Sequence, residues 1–94
     1  MASMSVAVAT GTSDVQGFTG AGQLVGYSVR ETVGSDSATI TLRDGTTTGG
    51  AVIASDTVAG GTARAVLLPS VPFSTGIFID RSGSGSSEVV LYLA

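Results

Sequence analysis

The 94-residue chain contains no cysteine, histidine, lysine or tryptophan. Without cysteine, disulfides and thiolate metal sites are excluded, and without histidine the commonest imidazole ligand and acid–base group is missing. A domain of this size buries only about two thirds of its unfolded surface. Of the usual ways to stabilise a small domain, oligomerisation is the one left. The sequence therefore predicts one domain that forms a homo-oligomer.

Basic charge is scarce. Four arginines oppose seven acidic residues, so the net charge is −3 and the pI is about 4.3. Such a chain lacks the basic patch of nucleic-acid-binding proteins. No apolar run approaches the length of a bilayer span, and residues 1–10 lack the regions of a signal peptide. We expect no nucleic-acid partner, no membrane partner and no Sec-dependent export.

Apolar residues recur at every second position, and no segment keeps a helical period for three turns. In residues 38–43, apolar side chains alternate with threonine and arginine, which places one set against a core and the other outward. Asp44-Gly45 then supplies a turn. Turn signals recur every eight to twelve residues, a spacing typical of sandwiches and barrels. The pattern predicts an all-β fold, a small antiparallel β-sandwich of about seven strands with jelly-roll or Ig-like topology.

The predicted strands cover residues 6–9, 23–33, 38–43, 51–58, 63–68, 77–81 and 88–93. The segment from Pro69 to Pro72 predicts a bend, because proline has no backbone N–H to donate to a neighbouring strand. Gly26, opposite an aromatic residue, suggests a bulge or a close backbone approach. The predicted core comprises Ala38, Ile40, Leu42, Val66, Leu68, Ile77, Ile79, Val89 and Leu91.

Residues 1–22 stand apart from the sandwich domain predicted for residues 23–94. One interpretation is an edge strand at residues 6–9 followed by a glycine-rich loop. The other is an arm that becomes ordered on a partner or a neighbouring subunit. On the second interpretation, Val6, Val8 and Phe18 are candidate partner-binding residues.

No motif predicts catalysis, a cofactor or a metal site. Asp14, Asp36, Asp44 and Asp56 lie beside glycine, serine or threonine and are interpreted as turn residues. Asp44-Gly45 lacks the alternating ligands and final glutamate of an EF-hand loop. The glycine pairs lack the lysine and the strand–helix context of a phosphate loop. We expect a protein that is not an enzyme.

Three stretches resemble small β-sandwich virion proteins of tailed bacteriophages: Gly22-Gln23-Leu24-Val25-Gly26, Leu42-Arg43-Asp44-Gly45 and Phe73-Ser74-Thr75-Gly76-Ile77. Similar proteins decorate or cement capsids, often as trimers. The resemblance implies a capsid decoration protein that is made in the host cytoplasm and located on the virion surface. Its expected partners are the major capsid protein or another virion protein, and a homotrimer is favoured.

Arginine is enriched and lysine depleted at protein interfaces. Arg30, Arg43 and Arg64 are therefore added to the candidate partner-binding residues. The alternative function is a carbohydrate- or other ligand-binding sandwich module. The absence of tryptophan speaks against a sugar-stacking platform, and so does the position of Tyr27 and Tyr92 within predicted strands.

Overall fold

The computed structural model of the chain describes residues 4–94, and these residues form eight β-strands and no helix. The all-β prediction is confirmed, with eight strands in place of about seven. Residues 1–3 of the predicted N-terminal segment lie outside the described residues. The strands are β1 (Met4–Gly11), β2 (Val15–Thr19), β3 (Gly22–Glu31), β4 (Ala38–Asp44), β5 (Ala51–Val58), β6 (Ala63–Phe73), β7 (Gly76–Ser82) and β8 (Ser87–Leu93).

The strands form two antiparallel sheets that pack face to face. Sheet I has the order β1-β8-β3-β6, and sheet II has the order β2-β7-β4-β5. The chain is folded in half about the β4–β5 hairpin, because β1 pairs with β8, β2 with β7, β3 with β6 and β4 with β5. Residues 4–22 thus contribute one strand to each sheet.

The hydrophobic core lies between the sheets and follows the predicted alternation. Seven of the nine predicted core residues are buried, while Val66 and Leu68 are partly buried and pack against the rest. Ile40 and Ile79 have no exposed surface. The core also contains Val8, Leu24, Tyr27, Val29, Val58, Phe73 and Leu93.

β2 is the strand that the alternation did not predict. It pairs with β7, and a register shift between Gln16 and Phe18 leaves Gly17 without a partner. A Cβ atom on Gly17 would lie 3.0 Å from Leu91 Cδ1. The strand is short and its glycine sits against the core, so its sequence carries no period of two.

A bulge in β3 places both even-numbered and odd-numbered residues of that strand in the core. Leu24 and Gly26 have partners in the neighbouring strands, and the register shifts between them. As a result Leu24, Tyr27 and Val29 are all buried. A Cβ atom on Gly26 would lie 2.7 Å from the carbonyl oxygen of Val66, which confirms the predicted close approach.

The bend predicted around Pro69 and Pro72 is wrong, because β6 continues through both prolines. β6 is an edge strand, and an edge strand tolerates a residue with no N–H on its open side. Ser70 takes a positive φ of 59°. Pairing of β6 with β3 is interrupted around this residue and resumes at Val71.

Replacing Ile40 with alanine should lower the free energy of unfolding by about 2–5 kcal/mol, because it leaves a cavity in a close-packed core. Leu67, which is 91% exposed, provides the matched control. Leu67→Ala should change stability by less than about 0.5 kcal/mol. Urea denaturation followed by circular dichroism measures both, and equal effects would contradict the assignment of Ile40 to the core.

Candidate functional site

Small and apolar side chains cover the solvent-facing side of sheet I. Strand register aligns Ala7, Val90, Ser28 and Ala65 in one row across the sheet. A second row contains Tyr92 and Leu67 on either side of Gly26. The outer face of sheet I is defined here as Ser5, Ala7, Gly26, Ser28, Arg30, Ala63, Ala65, Leu67, Glu88, Val90 and Tyr92.

Most side chains on the outer face of sheet II are polar, with Val52 and Phe78 beside Arg43 as apolar exceptions, and several of the polar ones bond to one another. The hydroxyl oxygens of Thr39 and Thr57 lie 2.8 Å apart, and Thr41 and Ser55 form a similar pair between β4 and β5. Cross-strand hydroxyl pairs of this kind stabilise a sheet. The two outer faces of the sandwich therefore differ in chemistry, and sheet I has the more apolar one.

The three candidate arginines lie on three different surfaces. Arg30 is on the outer face of sheet I, 3.4 Å from Glu88. Arg43 is on the outer face of sheet II, where Nη2 lies 3.1 Å from Asp80 Oδ2. Arg64 lies where β5 and β6 approach each other. The structure does not gather these residues into one site.

Val6, Val8 and Phe18 face the interior. Val8 belongs to the core, and the other two pack against it from a partly buried position. The ring of Phe18 meets that of Phe73 edge to face, with centroids 5.9 Å apart. β1 exposes Met4, several small residues that include Ala7, and its open backbone edge.

Glu31 is a buried carboxylate that the sequence analysis did not identify. Its Oε1 accepts hydrogen bonds from the backbone N–H groups of Gly34 at 2.7 Å and Gly61 at 3.1 Å. Its Oε2 accepts from Val33 at 2.8 Å and Ser86 at 3.0 Å. The residue is 2% exposed. One side chain thus joins the β3–β4, β5–β6 and β7–β8 loops at one end of the sandwich.

Backbone hydrogen bonds stabilise the charged form of Glu31. The N–H of Gly34 makes the largest contribution, and the bonds from Val33, Gly61 and Ser86 add to it against the opposing effect of burial. Together they lower the pKa of Glu31 from 4.5 to about 2. Such a carboxylate stabilises the folded chain at neutral pH.

Asp56 links the two sheets. Its Oδ2 accepts a hydrogen bond from the hydroxyl of Tyr27 at 3.0 Å, and its Oδ1 lies 2.9 Å from Arg64 Nη1. Asp56 is inside β5, so the expectation that it forms a turn is wrong. Burial, reinforced by the bond to Asp56, raises the pKa of Tyr27 to about 12.

The chain leaves β4 at Asp44 for the predicted turn, but the carboxylate of Asp44 bonds to the β6–β7 turn and not within its own hairpin. Its carboxylate accepts hydrogen bonds from the backbone N–H groups of Ser74 and Thr75, and these bonds lower its pKa. The N–H of Gly45 donates to the carbonyl of Gly76 at 3.2 Å. The β4–β5 loop is thereby joined to the β6–β7 turn.

Arg81 fastens the end of β1 to the rest of the sandwich. Its guanidinium donates to the carbonyl oxygens of Ala9, Ser13 and Ser87, and to the hydroxyl of Ser87. Its backbone N–H donates to Asp14 Oδ1 at 2.8 Å. The β1–β2 connection is therefore held by a charged side chain from β7.

Several of the charged groups of residues 4–94 thus serve the fold. Within this range no three His, Cys, Asp or Glu residues lie close enough together to hold a metal ion. The same range includes no helix that is long and apolar enough to cross a membrane. The candidate functional site is the outer face of sheet I with the edges of that sheet, because exposed small and apolar side chains lie there.

Replacing Glu31 with glutamine should lower the melting temperature at pH 7, because an amide NH₂ would face backbone donors that need an acceptor. The substitution should also make the melting temperature depend less on pH in the acid range. The native pKa lies below the unfolded value, so the wild-type stabilisation is complete above about pH 4.5 and is lost as pH falls toward 2. Thermal melts between pH 2 and 7 measure both effects.

Glu88→Gln is the matched control, because Glu88 is exposed and has one ion-pair partner, Arg30, at 3.4 Å. Exposed pairs of this kind contribute about 0–1 kcal/mol. We expect the control to melt close to the wild type at pH 7. A Glu31→Gln variant that is no less stable than Glu88→Gln would contradict the structural role of Glu31.

Comparisons of the chain with models of protein families, with curated proteins and with solved structures find no match. A proposal of function therefore relies on the fold, the surfaces described above and the motifs of the sequence.

Proposed function

We propose that this chain is a structural virion protein of a tailed bacteriophage, a decoration or cement protein that binds and stabilises the head shell. The observation that carries the proposal is the strand order, β1-β8-β3-β6 against β2-β7-β4-β5. We interpret this order as a jelly roll, the eight-stranded double sheet used by viral capsid domains, lectins and cupins. Fold alone does not assign a function, so further support comes from the sequence motifs and the surface.

The three stretches that resemble phage virion proteins meet at one end of the sandwich. Gly22 is the register partner of Phe73, and a Cβ atom on Gly22 would lie 2.8 Å from the ring of Phe73. Asp44, from the second stretch, accepts from the backbone of Ser74 in the third. Stretches far apart in sequence thus cooperate in one corner.

The surface chemistry suits attachment to a repeating lattice. A cement protein needs a stable domain with a face that can be buried, and many copies on one shell raise the effective concentration of each contact. The outer face of sheet I offers small and apolar side chains, with Arg30 and Glu88 paired at one end. The proposed partner is the major capsid protein or another virion protein, bound by a homo-oligomer of this chain.

Carbohydrate binding is the second candidate function. The observation that favours it is the exposed ring of Tyr92 beside a surface depression. Its side chain is 38% exposed and borders an open depression of about 320 Å³ lined also by Met4, Ser5, Val25 and Leu93. An exposed aromatic ring beside a depression can stack on a sugar. Specific glycan-array binding that Tyr92→Ala abolishes would favour this candidate over shell decoration.

Purified particles of the phage that encodes the chain provide the test of shell decoration. Quantitative mass spectrometry should find the chain in many copies per particle, at a fixed ratio to the major capsid protein. Particles made without it should lose DNA at a lower temperature, since a cement protein ties neighbouring shell subunits together. Adding back the purified chain should restore the wild-type temperature.

A matched add-back with the Leu67→Ala variant examines the proposed surface, because Leu67 is the most exposed large apolar residue of the described chain. We expect weaker binding to particles at unchanged melting temperature. Absence of the chain from purified particles would refute the proposed function.

A further inference from the structure

Each sheet of the sandwich ends in two edge strands, β1 and β6 in sheet I and β2 and β5 in sheet II. An edge strand has unpaired N–H and C=O groups along one side, and it can pair with another chain. Natural proteins prevent this with prolines, charges, bulges or short edges. Within residues 4–94, three of the four edges are short or carry a proline or a charged side chain, whereas β1 has only a register shift near its end.

β6 is protected along its length. Pro69 and Pro72 remove two donors, and Ser70 between them has a positive φ of 59° that breaks the extended line of the strand. Arg64 places a charge near its other end. A second strand has no uninterrupted ladder to pair with on this side.

The edges of sheet II are also interrupted. β2 is five residues long, and its register shifts at Gly17. β5 has a register shift opposite Leu42 and Arg43. Its Asp56 is bound to Arg64 of β6, so this edge is bridged to the neighbouring sheet.

β1 has only one of these protections, a register shift toward its end. Its eight residues, MSVAVATG, include no proline and no charged side chain. Its register against β8 is regular from Met4 to Val8 and shifts only toward Gly11. Arg81 holds its far end in place through the carbonyl of Ala9 at 2.6 Å, so the strand presents a fixed extended edge.

We propose that the open edge of β1 pairs with β1 of a second copy of this chain, antiparallel and about a two-fold axis. The two copies of sheet I then form one continuous eight-stranded sheet. The partner is a second β1 because no other described edge of the chain is free to receive it. An edge that pairs with itself is an isologous contact, which requires two-fold symmetry.

The side chains of β1 suit this arrangement. A two-fold axis normal to the sheet keeps Val6 and Val8 of both copies on the core side and Ala7 of both copies on the outer side. Each chain carries a net charge of −3, but β1 has no charged side chain. Pairing of two β1 strands therefore brings no like charges of these strands together. The inference concerns self-association and is independent of whether the chain binds a capsid.

The two-fold pairing predicts a dimer, whereas the resemblance to phage proteins favours a trimer. Sedimentation equilibrium at high micromolar concentration should give twice the 9.2 kDa mass of the chain. A monomer, or a trimer that β1 variants leave unchanged, would overturn the proposal.

Ala7 and Ala65 provide a matched pair of variants. Both are exposed alanines in the same row of sheet I, Ala7 on the β1 edge and Ala65 on the β6 edge. Ala7→Lys brings two like charges together at the proposed contact and should raise the dimer dissociation constant more than about tenfold. Ala65→Lys should leave it unchanged. Equal effects of the two variants would overturn the proposal.

Cysteine cross-linking gives a result even if Ala7→Lys fails to fold. The chain has no cysteine, so single cysteines can be placed at Ser5, Ala7 and Ala9 and mixed in pairs. Facing residues of antiparallel strands have Cα atoms about 4.5–5.5 Å apart, a separation that a disulfide can span. Mild oxidation should yield a covalent dimer from at least one combination and none from Ala65→Cys. Cross-linking at Ala65 alone, or nowhere on β1, would overturn the proposal.

Discussion

The hydrogen bonds of the Glu31 carboxylate hold together one end of this sandwich. Four backbone N–H groups from three loops converge on one buried side chain. The loops contain glycine and serine and would otherwise have little to order them. In a domain with no cysteine, such a charge-assisted contact does what a disulfide does elsewhere, because it joins segments that are distant in sequence.

The same device recurs at other junctions. Asp56 joins β5 of sheet II to β3 and β6 of sheet I through Tyr27 and Arg64. Arg81 joins the β1–β2 connection to β7 and β8. Each buried charge has partners, as burial of a charge requires. The interior of the sandwich is apolar, and its few charged side chains hold edges and loops in place.

This use of charge leaves the two outer faces with different roles. Hydroxyl pairs and the Arg43–Asp80 pair occupy the outer face of sheet II. The outer face of sheet I carries mainly small and apolar side chains, besides the Arg30–Glu88 pair at one end, and it continues to the open edge of β1. A surface of that kind is suited to association, and our proposals of shell attachment and of edge pairing both place it there.

Local alternation in residues 38–43 and 88–93 was sufficient to predict strands, their buried faces and the all-β class, because the period of two is a property of neighbouring residues. It also identified Gly26 as a close approach. It failed at β2, where Gly17 interrupts the period, and at Pro69 and Pro72, which are tolerated because β6 lies at an edge. Whether a strand lies at the edge of a sheet depends on distant parts of the chain, so the residues of the strand alone do not indicate it.

By itself, the sequence determined the absence of disulfides, the class of fold and most of the core. Only the tertiary structure decided the strand order, the partners of Glu31, Asp56 and Arg81, and which strands form edges. Those features depend on contacts between residues such as Glu31 and Ser86, or Asp44 and Ser74. The sequence around these residues does not indicate their partners, because the donors and acceptors come within hydrogen-bonding distance only when the chain folds.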